Sequence, residues 1–167
     1  MIPLTEQLIR TSFVNATRGE AKRAELPDLS APDWESLDYF GWHDPRRPMV
    51  AYVAMVVDGD LVCVLLRRVK STGSRRMLCA WCQDVVEGDS AAFYVAPRAG
   101  ASGRQGNTVG TMICSDFGCS ANARREPTIT EMSSKDEAER QFWIDLRIDE
   151  LRSRSTRFVR QLGSTAS

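Results

Sequence analysis

Four of the five cysteines in this chain fall into two tight pairs, Cys79-x2-Cys82 and Cys114-x4-Cys119, with 31 residues between them. No other feature limits the fold as strongly. A pair spaced by two to four residues sets two sulfurs on one turn, and two such turns supply the four corners of a tetrahedral metal site. Two disulfides are geometrically conceivable but conflict with a reducing cytosol. The opening MIPLTEQLIRTSF has neither a basic leader nor a long apolar stretch, and no apolar run approaches the ~20 residues that cross a bilayer. The chain therefore reads as cytoplasmic, with no membrane span. A redox dithiol at Cys79 and Cys82 would want thioredoxin-like βαβ surroundings, which the pattern lacks. An iron–sulfur cluster uses the same ligands and stays open as the alternative to zinc.

Zinc is the leading reading. Four thiolates leave no open coordination position, so one Zn2+ held by Cys79, Cys82, Cys114 and Cys119 would be structural and not catalytic. The order is a turn with two thiols, a hairpin, then two thiols where a helix begins, which is the order of a treble-clef zinc finger. A helix N-terminus also favours thiolate over thiol, because its free N–H dipoles point at the sulfur. The complete site would carry a charge of −2, partly neutralised by Arg75 and Arg76. Cys63, between Val62 and Val64 in an apolar run, is expected to be a buried free thiol.

The 167 residues suit one domain, and 43% hydrophobic with 26% charged residues excludes wholesale disorder. Net charge is zero, yet it is segregated: residues 1–66 carry −4, residues 67–125 carry +5 and the remainder −1. The basic excess thus shares its segment with the four paired cysteines. Arg67, Arg68, Lys70, Arg75 and Arg76 form its densest part and are candidates for contact with an acidic partner or with phosphate. Arg98 and Arg104 join them from the glycine-rich stretch 98–107. That stretch has no Gly-Lys-Ser/Thr and lies between strands, so it is not a P-loop and reads as a flexible strand connection. Trp81 and Phe117, inside the two cysteine turns, would either pack on the metal site or project as recognition aromatics. His43 has no nucleophile or metal to work with and reads as a turn histidine. No small-molecule substrate is expected.

Periodicity predicts an α+β fold. Residues 4–17 read as an N-terminal helix, with Leu4, Leu8, Phe13 and Val14 as its apolar face and Thr5 as its cap. Residues 27–48 read as irregular chain pinned by Trp34, Leu37, Phe40 and Trp42. Met49–Val57 and Leu61–Val69 are strands joined at Asp58-Gly59-Asp60, apolar on both faces and so covered on both. A second antiparallel pair follows at Ala91–Ala96 and Thr108–Ile113, then a short helix at Ser120–Arg125. A capping box at Ser134–Glu137 opens a long C-terminal helix over 134–163, with Ile144, Ile148, Leu151, Phe158 and Leu162 facing the core and Phe142 and Leu146 widening the stripe. The expectation is a single domain over 1–167: a helix and irregular segment over 1–48, sheet and zinc module over 49–125, and the C-terminal helix.

Three groups of words carry a resemblance to a known family: Met77-Leu78-Cys79-x2-Cys82, Gly106-Asn107-Thr108-Val109-Gly110-Thr111, and Ile113-Cys114-Ser115-Asp116-Phe117-Gly118-Cys119-Ser120. Upstream, Ile9-Arg10-x2-Phe13-Val14-Asn15 and Leu37-Asp38-x2-Gly41-Trp42-x-Asp44-Pro45 extend it over most of 4–125. The chain resembles the elongation factor G-binding treble-clef zinc-finger family, whose members include fusidic acid resistance proteins. The resemblance implies a non-enzymatic protein that binds elongation factor G and promotes its release from the ribosome, with the zinc ligands carried over to the four paired cysteines. The alternative is a zinc module that grips ribosomal RNA or other nucleic acid through the basic stretch with Arg98, Arg104, Arg124 and Arg125.

Overall fold

The computed structural model describes residues 1–70 and 76–163. Its centre is a five-stranded antiparallel sheet in the order β1-β2-β3-β6-β7, built from Tyr39–Asp44, Arg47–Val57, Asp60–Arg68, Ala91–Pro97 and Thr108–Cys114 respectively. The β2–β3 hairpin turns on Asp58 and Gly59, both with positive φ, the conformation that matches strand twist in a two-residue turn. Two further residue pairs, β4 (Met77–Leu78) and β5 (Val85–Val86), make a separate small hairpin around the first cysteine turn.

Side chains of β2 and β3 alternate between two cores, which explains their unbroken apolar sequences. Ala51, Val53, Met55, Val64 and Leu66 face one core together with the cysteine turns. The long helix α5 (Glu137–Gly163) closes that core with Leu151, Phe158, Val159 and Leu162. Tyr52, Ala54, Cys63 and Leu65 face the other, covered by Leu4, Ile9, Trp34 and the N-terminal segment. Covering on both faces is as the strand pattern predicts.

The N-terminal region departs from the expected single helix. It forms two short ones, α1 (Glu6–Thr11) and α2 (Arg18–Arg23), because the chain between them is drawn into the sheet. Phe13 bridges Cys63 in parallel, Val14 N–H donates to the Cys63 carbonyl at 3.0 Å, and Cys63 N–H donates to the Ser12 carbonyl at 2.8 Å. Thr5 caps α1 as expected, but Ile9 is the buried residue and Leu8 and Val14 are exposed. Within 27–48, read as irregular, Tyr39–Asp44 is a strand. His43 therefore lies in β1 and not in a turn, its Nε2–H donating to the Ser115 carbonyl at 2.6 Å.

The stretch 98–107 is not a loose connection. It contains a helical turn, α3 (Gly100–Arg104), tied down by Ala99 N–H to the Leu162 carbonyl and Arg98 N–H to the Asn107 carbonyl, both at 2.9 Å. α4 (Cys119–Arg124) begins at the last cysteine. α5 begins later than the sequence suggests: Asp136, not Ser134, accepts the N–H of Glu139 at 3.0 Å, and Ser134 Oγ accepts the N–H of Asp136. Phe142, 70% exposed, and Leu146 lie outside the buried stripe. No helix among the described residues is long and apolar enough to cross a membrane.

Candidate metal centre

The first cysteine pair sits on the turn of the β4–β5 hairpin. Gln83 N–H bonds to the Cys79 carbonyl at 2.9 Å and Cys79 N–H to the Asp84 carbonyl at 3.0 Å, which folds Cys82 back toward Cys79. Cys82 N–H itself points at Cys79 Sγ at 3.5 Å. Ala80 N–H donates to the Met112 carbonyl of β7 at 2.7 Å, docking this turn against the strand that delivers the second pair. Cys114 ends β7, the chain turns through Asp116 and Phe117, and Cys119 opens α4. Gln83 and Phe117, one in each turn, hold φ of 60°, a left-handed conformation that costs a non-glycine residue ~1–2 kcal/mol. Strain therefore sits in both turns, where the sulfurs meet.

All four sulfurs are buried and lie within 4.8 Å of one another. Cys79 and Cys119 Sγ are 3.5 Å apart, and Cys82 and Cys114 Sγ are 3.7 Å apart. Sulfurs ~2.3 Å from a common centre stand ~3.8 Å apart at tetrahedral corners, whereas a disulfide holds them at ~2.05 Å. The spacing fits a metal and not two cystines, and all five cysteines are free. Ionisation of the cluster is uneven. Thiol hydrogen bonds from Cys114, Cys119 and Cys82 hold Cys79 well below its usual range, while Cys114 foremost, then Cys79 and Cys82, push Cys119 up. Four thiolates cannot share this volume without a cation, and a divalent ion removes the conflict.

Two neighbouring donors suit such a centre. Asn122 Nδ2 lies 3.4 Å from Cys114 Sγ and 3.8 Å from Cys82 Sγ. The Tyr39 hydroxyl is buried without a hydrogen-bond partner, and burial, followed by the charge of Cys119, raises its pKa well above that of a free phenol. A phenol held neutral beside a sulfur is a donor for a thiolate. The donor set fits one structural Zn2+, which supplies a cross-link between the hairpin, β7 and α4.

The other candidate residues divide sharply. Trp81 is only 2% exposed, edge-on to Tyr39 at 4.9 Å and tilted against Phe158 at 5.7 Å. Phe117 is 6% exposed and packs between His43 and Tyr94. Both are core residues, so neither projects toward a partner; the tight turns that present the sulfurs aim these rings inward. Arg76 ion-pairs with Glu87 at 2.8 Å on the surface. Arg68 pairs with Tyr94 across β3–β6, Lys70 is exposed, and Arg75 lies outside the described residues. Arg67, Arg98 and Arg104, distant in sequence, line one cleft.

Arg124 and Arg125 are engaged within the fold. Arg124 holds the buried Asp38 carboxylate, and Arg125 bridges Asp84 at 3.2 Å and Glu131 at 2.7 Å. Burial would raise the Asp38 carboxyl, but Arg124 and Arg152 outweigh it and hold it below its usual range. The later arginines of α5 likewise have specific partners: Arg147 the carbonyls of Asn122 and Arg125, Arg154 the Trp81 carbonyl, Arg160 Asp58.

Composition did not point to Leu78 and Val85. They face each other across β4–β5 and are 50% and 58% exposed, an apolar pair displayed on the metal-bound hairpin. Their direct opposition is invisible until the two-residue strands are paired.

The pattern that defines the FBP C-terminal treble-clef zinc-finger family matches residues 8–162. Among solved structures, that of the fusidic acid resistance protein FusC is similar, with a TM-score of 0.52 at 19% identity over 73% of this chain and 52% of that one. The chain thus spans about half the length of that protein, and at this identity the likeness is one of fold. No curated protein matches the chain.

Proposed function

The chain belongs to the FBP C-terminal treble-clef zinc-finger family, and from that membership we propose that it is a non-enzymatic, zinc-dependent binding protein for translation elongation factor G. It acts in the cytoplasm as one domain over 1–167 and assists release of the factor from the ribosome, in the manner of a fusidic acid resistance protein. The observation that carries the reading is the union of the family match over 8–162 with four buried sulfurs spaced for one tetrahedral ion. Cys79, Cys82, Cys114 and Cys119 are its ligands. The metal's part is architectural: it holds the β4–β5 hairpin rigid, and this hairpin presents Leu78 and Val85 as an apolar anchor beside Arg76. Exposed apolar patches rimmed by polar residues mark interaction surfaces.

The test is retention of purified, nuclease-treated elongation factor G by the immobilised, zinc-loaded protein. The wild type is expected to hold the factor without RNA, and Leu78→Ser with Val85→Ser is expected to weaken it by about tenfold or more while zinc content and melting stay unchanged. Failure of the zinc-loaded wild type to hold the factor unless RNA is present would overturn the reading.

A further inference from the structure

β3 and β6 are paired at Arg67↔Val95 and Arg68↔Tyr94, the Val69 N–H continues the contact to the Phe93 carbonyl at 2.8 Å, and the strands part on the other side, toward Leu65 and Pro97. Asn15 occupies the fork. Its Nδ2 donates to the Leu65 carbonyl at 2.9 Å and the Pro97 carbonyl at 3.0 Å, while its Oδ1 accepts the Leu65 N–H at 2.8 Å. One side chain thus replaces a missing strand and fixes the fork open. Beside it lies a cleft of about 330 Å3, lined by Asn15, Glu20, Arg67, Pro97, Arg98 and Arg104, among others.

Among the described residues that line this cleft, three arginines stand against one acid, Glu20, which bonds to Arg67 at 3.2 Å, a net of +2. Glu20 is held ionised, principally by the Thr17 backbone N–H. The Arg104 side chain is exposed and makes no hydrogen bond or ion pair among the described residues. The backbone beneath Arg98 and Arg104 is fixed and depends on glycine. Gly100 has a φ of +66°, and a Cβ on Gly103 would lie 1.8 Å from the Arg98 carbonyl oxygen. Asn107 Nδ2 closes the turn on Ser102 Oγ at 3.1 Å, and one Arg98 nitrogen is anchored to the Gln161 carbonyl at 2.8 Å.

Guanidinium groups fork onto phosphate oxygens, and a surplus of two positive charges matches a phosphate dianion better than a single carboxylate. Among the described residues no aromatic ring lines the cleft to stack on a base, which makes the phosphate the group its guanidiniums recognise. We propose that this cleft is a phosphate-binding site, filled either by a free phosphate compound or by consecutive phosphates of an RNA strand. The inference does not depend on the binding of elongation factor G.

Calorimetric titration of the zinc-loaded full chain with pyrophosphate, and separately with a short single-stranded RNA lacking terminal phosphates, tests it. Binding of pyrophosphate alone identifies the free compound as the source. RNA binding whose affinity falls steeply with salt identifies the strand. In either case Arg104→Gln is expected to weaken binding about tenfold or more, without change in melting or zinc content. Glu20→Gln, which preserves the geometry of the helix cap, is expected to tighten it several-fold by releasing Arg67, a gain that loss of a merely structural residue would not produce. Absence of binding to both ligands, or affinities unmoved by both substitutions, overturns the proposal.

Discussion

A methyl group at position 41 would lie 2.3 Å from Phe117 Cγ, because the first strand runs directly beneath the ring that the second cysteine turn aims inward. Gly41→Ala is therefore expected to lower stability by ~1–3 kcal/mol, the usual cost of overpacking, in a denaturant titration. A variant as stable as the wild type would mean that Phe117 is not fixed there. Tyr39→Phe tests the outer shell of the metal: losing the hydroxyl beside Cys119 is expected to cost about tenfold in zinc retention against a chelator, with little effect on the fold. Unchanged retention would show that the hydroxyl gives nothing to the sulfur. At this scale the four paired cysteines and the buried Cys63 were legible, because short spacing and flanking valines are local facts. Tyr39 and Asn122 were not. Each reaches a sulfur only because β1 and α4 are brought around it by the rest of the chain.

Among elements, α5 shows how far periodicity reaches. At 3.6 residues per turn Phe142 lies about half a turn out of phase with Leu151, so it points away from the buried stripe, whereas Ile144, equally near the helix start but in phase with Leu151, is buried. Leu151→Ala is expected to cost ~2–5 kcal/mol and Phe142→Ala within ~0.5 kcal/mol; equal costs would contradict the observed docking of α5. Proline and aspartate crowd the flanks of β1 and mask it in the sequence, although Tyr39-Phe40-Gly41-Trp42 has strand composition. The capping box of α2 is local and stands in the sequence as Thr17-x2-Glu20. The segment joining α4 to α5 offers a pH test. The hydrogen bond from Arg125 holds Glu131 at about 2, against a usual 4.5. The folded carboxyl is the stronger acid, so its stabilisation is complete above 4.5 and disappears as pH falls toward 2. The stability gap between wild type and Glu131→Gln is expected to close over that interval; a constant gap would mean the pair is not formed.

For the molecule as a whole, the metal site gathers a hairpin with two-residue strands, the end of a sheet and the start of a six-residue helix. Chelation is expected to lower the melting temperature and to abolish capture of the factor together. A thiol reagent should find no cysteine in the native protein and five after denaturation with chelator. Two accessible pairs in the native state would refute the buried cluster. By itself the sequence determined the four paired thiols, the central hairpin and the two-sided sheet, since each follows from contacts a few residues apart or from alternation along one strand. Only the tertiary structure decided that Trp81 and Phe117 belong to the core, that Leu78 and Val85 stand outside it, and that Arg67 meets Arg98 and Arg104 across a fork. Those outcomes depend on which elements come to lie side by side, and that is settled by the packing of the whole chain and not by the composition of any one segment.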